Sequence, residues 1–129
     1  MKSIAIFTGL SGFLAVALGA FGAHGLRGSV APEMLAVWQT AVLYQMFHAL
    51  VLLAIVIAGT RQPLPLLQKA AWSMMAGTVL FSGSLYVLVL SGVKALGMVT
   101  PLGGVLFMLG WLLLSVALVQ WVAQQSQGD

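Results

Sequence analysis

Hydrophobic positions along this chain fall into four long runs, residues 4–23, 34–59, 70–91 and 101–123, separated by short breaks rich in glycine, proline and polar side chains. About 20 apolar residues at ~1.5 Å each cross a hydrocarbon core of roughly 30 Å, so every run is long enough to be a membrane-spanning helix. The pattern predicts an all-α protein, an integral membrane four-helix bundle with antiparallel neighbours and short loops, forming a single membrane domain over residues 1–129. The first run follows Lys2 and contains the small residues Gly19 and Ala20, as a signal peptide can. It continues unbroken to Ala23, which reads as a span.

Within the runs, small residues repeat at helical spacing. Ser11, Ala15, Gly19 and Ala23 recur every four residues in the first run. Ala70, Gly77, Ser84 and Ser91 recur every seven in the third, with Ser73 four before Gly77, and Gly103, Gly110 and Ala117 do so in the fourth. Such stripes let helix backbones approach closely in lipid. Gly19, Gly22, Gly77, Ser84, Gly103 and Gly110 are therefore expected at helix contacts. The breaks agree with this layout: Pro32 and Glu33 suit the first turn of the second helix, residues 60–65 read as a proline-broken link, and Thr100-Pro101 reads as an N-cap followed by proline at the first helical position. Residues 124–129 form a polar tail expected to fray.

The second run alone carries a dense set of polar groups. Thr40, Tyr44 and His48 recur every four residues and share one helix face, with Gln45 beside them, and Gln39 directly before Thr40 completes the polar set. In lipid that face is expected to turn inward. His48 lies about fourteen residues into the run, or roughly 20 Å along the span, and an ionisable residue at that depth is a functional candidate by default. The plainer alternative is a neutral histidine bonded to a hydroxyl or carbonyl of a neighbouring helix, holding the bundle in register.

Composition narrows the chemistry. The chain is 61% hydrophobic and 5% charged, with no cysteine, and its mean hydropathy is +1.10. A pI near 9.8 rests on five scattered basic residues, which act as an orientation signal and not as a nucleic-acid surface. Lys2, Arg61 and Lys69 fall on one side of four spans and Arg27 and Lys94 on the other, which favours cytoplasmic termini. Trp72 and Trp121 would then share the cytoplasmic interface, with Trp38 near the opposite one. Glu33 and Asp129 are the two carboxylates, and no nucleophile sits with a base and an orienting acid, so no catalytic residue is expected. His24, Arg27 and Glu33 are expected to meet as an interfacial cluster. His24 and His48 would stand most of a membrane thickness apart, so neither a metal site nor another cofactor site is expected.

The blocks Gly19-Ala20-Phe21-Gly22-Ala23-His24-Gly25-Leu26, Trp38-Gln39-Thr40-Ala41 through Tyr44-Gln45 to His48-Ala49-Leu50, Leu80-Phe81-Ser82-Gly83-Ser84-Leu85-Tyr86 and Thr100-Pro101-Leu102-Gly103-Gly104 resemble those of a known family. It is the family of small four-span YgdD-type bacterial inner-membrane proteins, which is similar to eukaryotic transmembrane protein 256. The resemblance spans nearly the whole chain and implies a four-helix protein with a domain of unknown function, with no catalytic residue to carry over. Two functional classes follow from the residues. One is a non-enzymatic protein of the bacterial inner membrane that engages lipid, a membrane partner or a second copy of itself. The other is a small transporter or channel with a polar path past His48 for a proton, cation or small solute. Four spans in this length also suit a small multidrug transporter, but helix 1 carries no carboxylate to couple protons.

Overall fold

A computed structural model describes residues 1–128, and Asp129 lies outside the described residues. The four apolar runs are helices: α1 (Lys2–Phe21), α2 (Pro32–Arg61), α3 (Pro65–Ser91) and α4 (Thr100–Ser126). A π-helical turn, Gly22–Leu26, extends α1, and a 3₁₀ turn, Lys94–Met98, leads into α4.

α2, α3 and α4 are each longer than their apolar runs, for local reasons. Proline occupies the first or second position of α2, α3 and α4, where its missing N–H and fixed φ suit a helix start. Pro65 thus opens α3 and does not belong to a broken link. Thr100 is not the N-cap of α4: Val99 takes that place, and the Thr100 hydroxyl crosses to Ser84 Oγ at 2.7 Å. The end of α1 also differs from expectation, because the chain winds through residues 23–26 as a wider turn before leaving at Arg27. Residues 124–126, expected to fray, remain helical, and the Gln124 side chain meets that of Gln62 at the end of α2.

Neighbours in the chain are neighbours in space. α1 packs on α2, α2 on α3 and, most extensively, α3 on α4, while α1 also touches α3. α3 is therefore the central helix, and it buries residues on several faces: Ala70, Ser73, Gly77 and Ser84 toward α4, and Thr78, Ser82 and Leu85 elsewhere. Without an aqueous phase to expel them, apolar side chains give little reason for helices to associate in lipid, so close backbone packing and hydrogen bonds carry the contact. The α3–α4 seam shows this directly. A Cβ built on Gly77 would stand 2.7 Å from Phe107 Cδ1 and 3.1 Å from the Gly103 carbonyl, and one on Gly110 would stand 2.6 Å from Met74 Cγ. A Cβ on Gly103 would overlap the backbone of Phe81. Of the stripe on α1, Ser11 and Ala15 are buried and Gly19 touches Val42, but Ala23 faces outward and Gly22 and Leu26 continue the contact.

At one end of the bundle Leu26, Trp38 and Val89 form a small core, and at the other Ile4, Leu52, Ile55, Leu67, Met74 and Leu114 form a larger one. Between them lies the polar middle of α2.

Candidate functional site

The polar run of α2 does not present one inward face. Trp38, Ala41, Gln45, His48, Leu52 and Ile55 point into the bundle, whereas Gln39, Thr40 and Tyr44 are exposed. This corrects the expected Thr40–Tyr44–His48 face. A four-residue step turns an ideal helix by more than a full revolution, so the stripe drifts and only its last member reaches the interior. Thr40 bonds the Ala36 carbonyl of its own helix at 3.1 Å. Tyr44 lies on the outer edge of an aromatic group, its ring 4.5 Å from that of Phe81.

His48 is held on three sides. Its Nδ1 lies 2.7 Å from the Tyr44 carbonyl, Phe107 stacks on the ring at a centroid distance of 3.6 Å, and Trp111 Nε1 donates to Nε2 at 3.2 Å. An indole N–H can only donate, so Nε2 accepts and the proton sits on Nδ1, the neutral tautomer. The contact joins α2 to α4, whose backbones are not close neighbours.

Gln45 stands one turn before His48, on the side of α2 facing α1 and α3. Its Nε2 donates to the Ser11 carbonyl at 2.9 Å, and its Oε1 accepts from Tyr86 Oη at 2.6 Å. One side chain thus ties three helices. Ser82 Oγ adds a bond to the Ala41 carbonyl at 2.7 Å. About two turns before Gln45, toward the start of α2, Trp38 is 1% exposed and donates from Nε1 to the Leu18 carbonyl at 2.8 Å. Trp38 is therefore a core anchor, packed on Phe21 and Tyr86, and not an interfacial belt residue.

Three of the helical carbonyls that accept a bond from another helix share one feature, which the Ala41 carbonyl, with Gln45 four residues on, lacks. In a helix, the side chain at i+4 leans back over the carbonyl of residue i. Four residues after Leu18 comes Gly22, after Ser11 Ala15, and after Leu106, which accepts from Ser73 Oγ at 2.7 Å, Gly110. The small-residue stripes therefore do more than let backbones touch: they uncover carbonyls whose second lone pair takes a bond from the next helix.

The interfacial cluster does not form. His24, Arg27 and Glu33 are all exposed, and among the described residues no hydrogen bond or ion pair joins them. The π turn and the following left-handed Gly28 (φ 84°) separate the first two from Glu33 on α2. His24 lies two residues beyond Gly22, which meets Trp38, and His48 is ten residues further along α2. That is ~15 Å of rise, about half a hydrocarbon thickness where most of one was expected. No group of three or more metal-ligating side chains occurs among the described residues.

Tyr86, Ser82, Phe107 and Trp111 escaped the sequence reading as site residues. Their partners are 41, 41, 59 and 63 positions away in sequence, and the helices that carry them show no polar stripe. Tyr86 and Trp111 carried one signal, since a phenol or an indole N–H inside a span needs a partner and α2 supplies the polar groups.

Residues 18–104 match the model of a family described as "Protein of unknown function (DUF423)". The chain is 49% identical over 118 residues to UPF0382 membrane protein SAB0533 of Staphylococcus aureus (strain bovine RF122 / ET3-1), covering 91% of this chain and 95% of that protein. It is 45% identical over 123 residues to UPF0382 membrane protein YwdK of Bacillus subtilis (strain 168), covering 95% of this chain and 100% of that one. No solved structure matches it. Gly22, Trp38, Gln45, His48, Ser82, Tyr86 and Gly103 all lie in the matched segment, and with four spans to frame them the chain belongs to the DUF423 family of membrane proteins of unknown function.

Proposed function

We propose that this chain is a non-enzymatic protein of the bacterial plasma (inner) membrane, whose buried polar groups lock four helices into one register and whose outer faces engage lipid, a membrane-protein partner or a second copy of the chain. Nucleic acid has no part in this reading. The observation that carries it is the closure of His48 between the Tyr44 carbonyl and the Trp111 indole, with Phe107 across its face. A histidine on a proton or cation path needs a free nitrogen facing water, whereas both nitrogens here are engaged. The likeness to YgdD-type proteins supports the inner membrane, and the distribution of Lys2, Arg61 and Lys69 against Arg27 and Lys94 supports cytoplasmic termini.

The test is proton and small-cation flux in liposomes holding purified protein, with His48→Ala at matched incorporation. No flux above empty vesicles is expected from either chain. The variant should instead be destabilised in detergent by roughly 2 kcal/mol, from the lost Trp111 bond and the gap left beside Phe107. Flux in the parent that vanishes in a folded variant would make this a transporter and overturn the proposal.

A further inference from the structure

The outward side of α2 carries two polar side chains that the rest of the chain leaves unsatisfied. Gln39 and Tyr44 are exposed, and among the described residues neither the Gln39 amide nor the Tyr44 phenol makes a hydrogen bond. Tyr44 stands twelve residues after Pro32, about 18 Å along the helix, where lipid offers a phenol no partner. Between them runs a row of exposed residues, Ala36, Thr40, Leu43, Phe47, Leu50 and Ala54, spaced four and three apart in alternation. That mean spacing of 3.5 is the seam of a left-handed helix pair. Gln39 stands just before Thr40 and Tyr44 just after Leu43, so they flank the seam on opposite sides. These are the places from which side chains of paired helices bond across to each other.

We infer that this seam binds a second copy of the chain, α2 parallel to α2, with Gln39 of each copy bonded to Tyr44 of the other. The inference rests on the reading that the outer faces engage a partner within the membrane. Copies inserted in one direction are related by a two-fold axis only along the membrane normal, which sets like helices parallel and like residues at like depth. In such a pair, the residue before a seam position on one helix faces the residue five further along the other. Gln39 and Tyr44 are five apart, and the two-fold axis repeats the contact, so both amides and both phenols are satisfied together. Their chemistry is complementary as well, since the phenol donates and the amide oxygen accepts. The chain already makes this pair inside its bundle, where Tyr86 Oη donates to Gln45 Oε1 at 2.6 Å. An acyl chain offers neither group.

The chain has no cysteine, so single cysteines report helix pairing without background. Full-length Leu43→Cys and Phe47→Cys, both on the exposed seam, are oxidised in liposomes over a range of protein-to-lipid ratios, with Leu112→Cys on the outer face of α4 as control. Disulfide-linked dimer is expected severalfold more at Leu43 and Phe47 than at Leu112, and it should fall as lipid dilutes the protein. Tyr44→Phe keeps the ring stacked on Phe81 and removes only the hydroxyl. In the Phe47→Cys chain, Tyr44→Phe and Gln39→Leu should each weaken dimer association about tenfold, and the two together should do no more than either alone, because both remove the same pair. Equal linkage at all three positions, or linkage at Phe47 unmoved by either substitution, overturns the pairing. Linkage concentrated at Leu112 overturns it too, yet leaves the wider reading of an engaging outer surface in place; flux that vanishes with His48→Ala overturns that reading instead.

Discussion

The α3–α4 seam allows a sharp prediction at Gly103. In Gly103→Ala the new Cβ would overlap Phe81 N and stand 2.7 Å from both Cα and Cβ of Phe81, all of it backbone or atoms fixed to backbone. Ordinary contact begins at 3.4 Å, so α4 must retreat by more than the roughly 0.7 Å that the Cα and Cβ contacts alone require, with no flexible side-chain end to yield instead. Such overpacking costs about 1–3 kcal/mol. The same retreat stretches the neighbouring Ser84–Thr100 bond from 2.7 Å to near the limit of a hydrogen bond, removing about another 0.6 kcal/mol. The total is about 2–4 kcal/mol of bundle stability, against almost none for Gly83→Ala, whose Cβ meets open space. Denaturation in mixed detergent micelles, followed by circular dichroism, measures the difference between the two variants. Equal stability for Gly103→Ala and Gly83→Ala would refute the claim that backbone approach at this seam holds α4 in place.

Two further outcomes follow from the polar centre. Gln45→Leu leaves the Tyr86 hydroxyl without a partner inside the membrane and should cost about 1–3 kcal/mol, whereas adding Tyr86→Phe should restore part of that loss; a double variant worse than either single one would sink the pairing. Gly22→Ala places a Cβ 2.5 Å from Trp38 Cδ1 and 2.7 Å from its Nε1, so the indole must leave the Leu18 carbonyl. Its destabilisation should overlap that of Trp38→Phe by about 1 kcal/mol in a double-mutant cycle, and simple additivity would show that Gly22 does not serve that bond.

Four spans, their helical state and their antiparallel order were legible in the chain because lipid leaves the backbone one way to satisfy itself in a short segment, and run length alone reports it. Glycine and serine at heptad spacing marked Gly77, Ser84, Gly103 and Gly110 as contacts for the same reason: only small residues let backbones touch, so their repeat is written into the sequence. The helix ends were less legible, since Pro65 looks the same whether it ends a link or begins a helix. Which members of the α2 run face inward could not be read at all. Thr40, Tyr44, Gln45 and His48 are equally polar on paper, and their fates differ because α2 packs on α1 and α3 and meets α4 through the side chains of His48, Phe107 and Trp111. The partners of the buried pair, Trp111 for His48 and Tyr86 for Gln45, lie 63 and 41 residues away, and nothing local connects them. Sequence determined what must be buried in a membrane; the tertiary structure decided which polar groups meet there, because a hydrogen bond between helices depends on the depth and rotation of both, and each is set by packing along the whole seam.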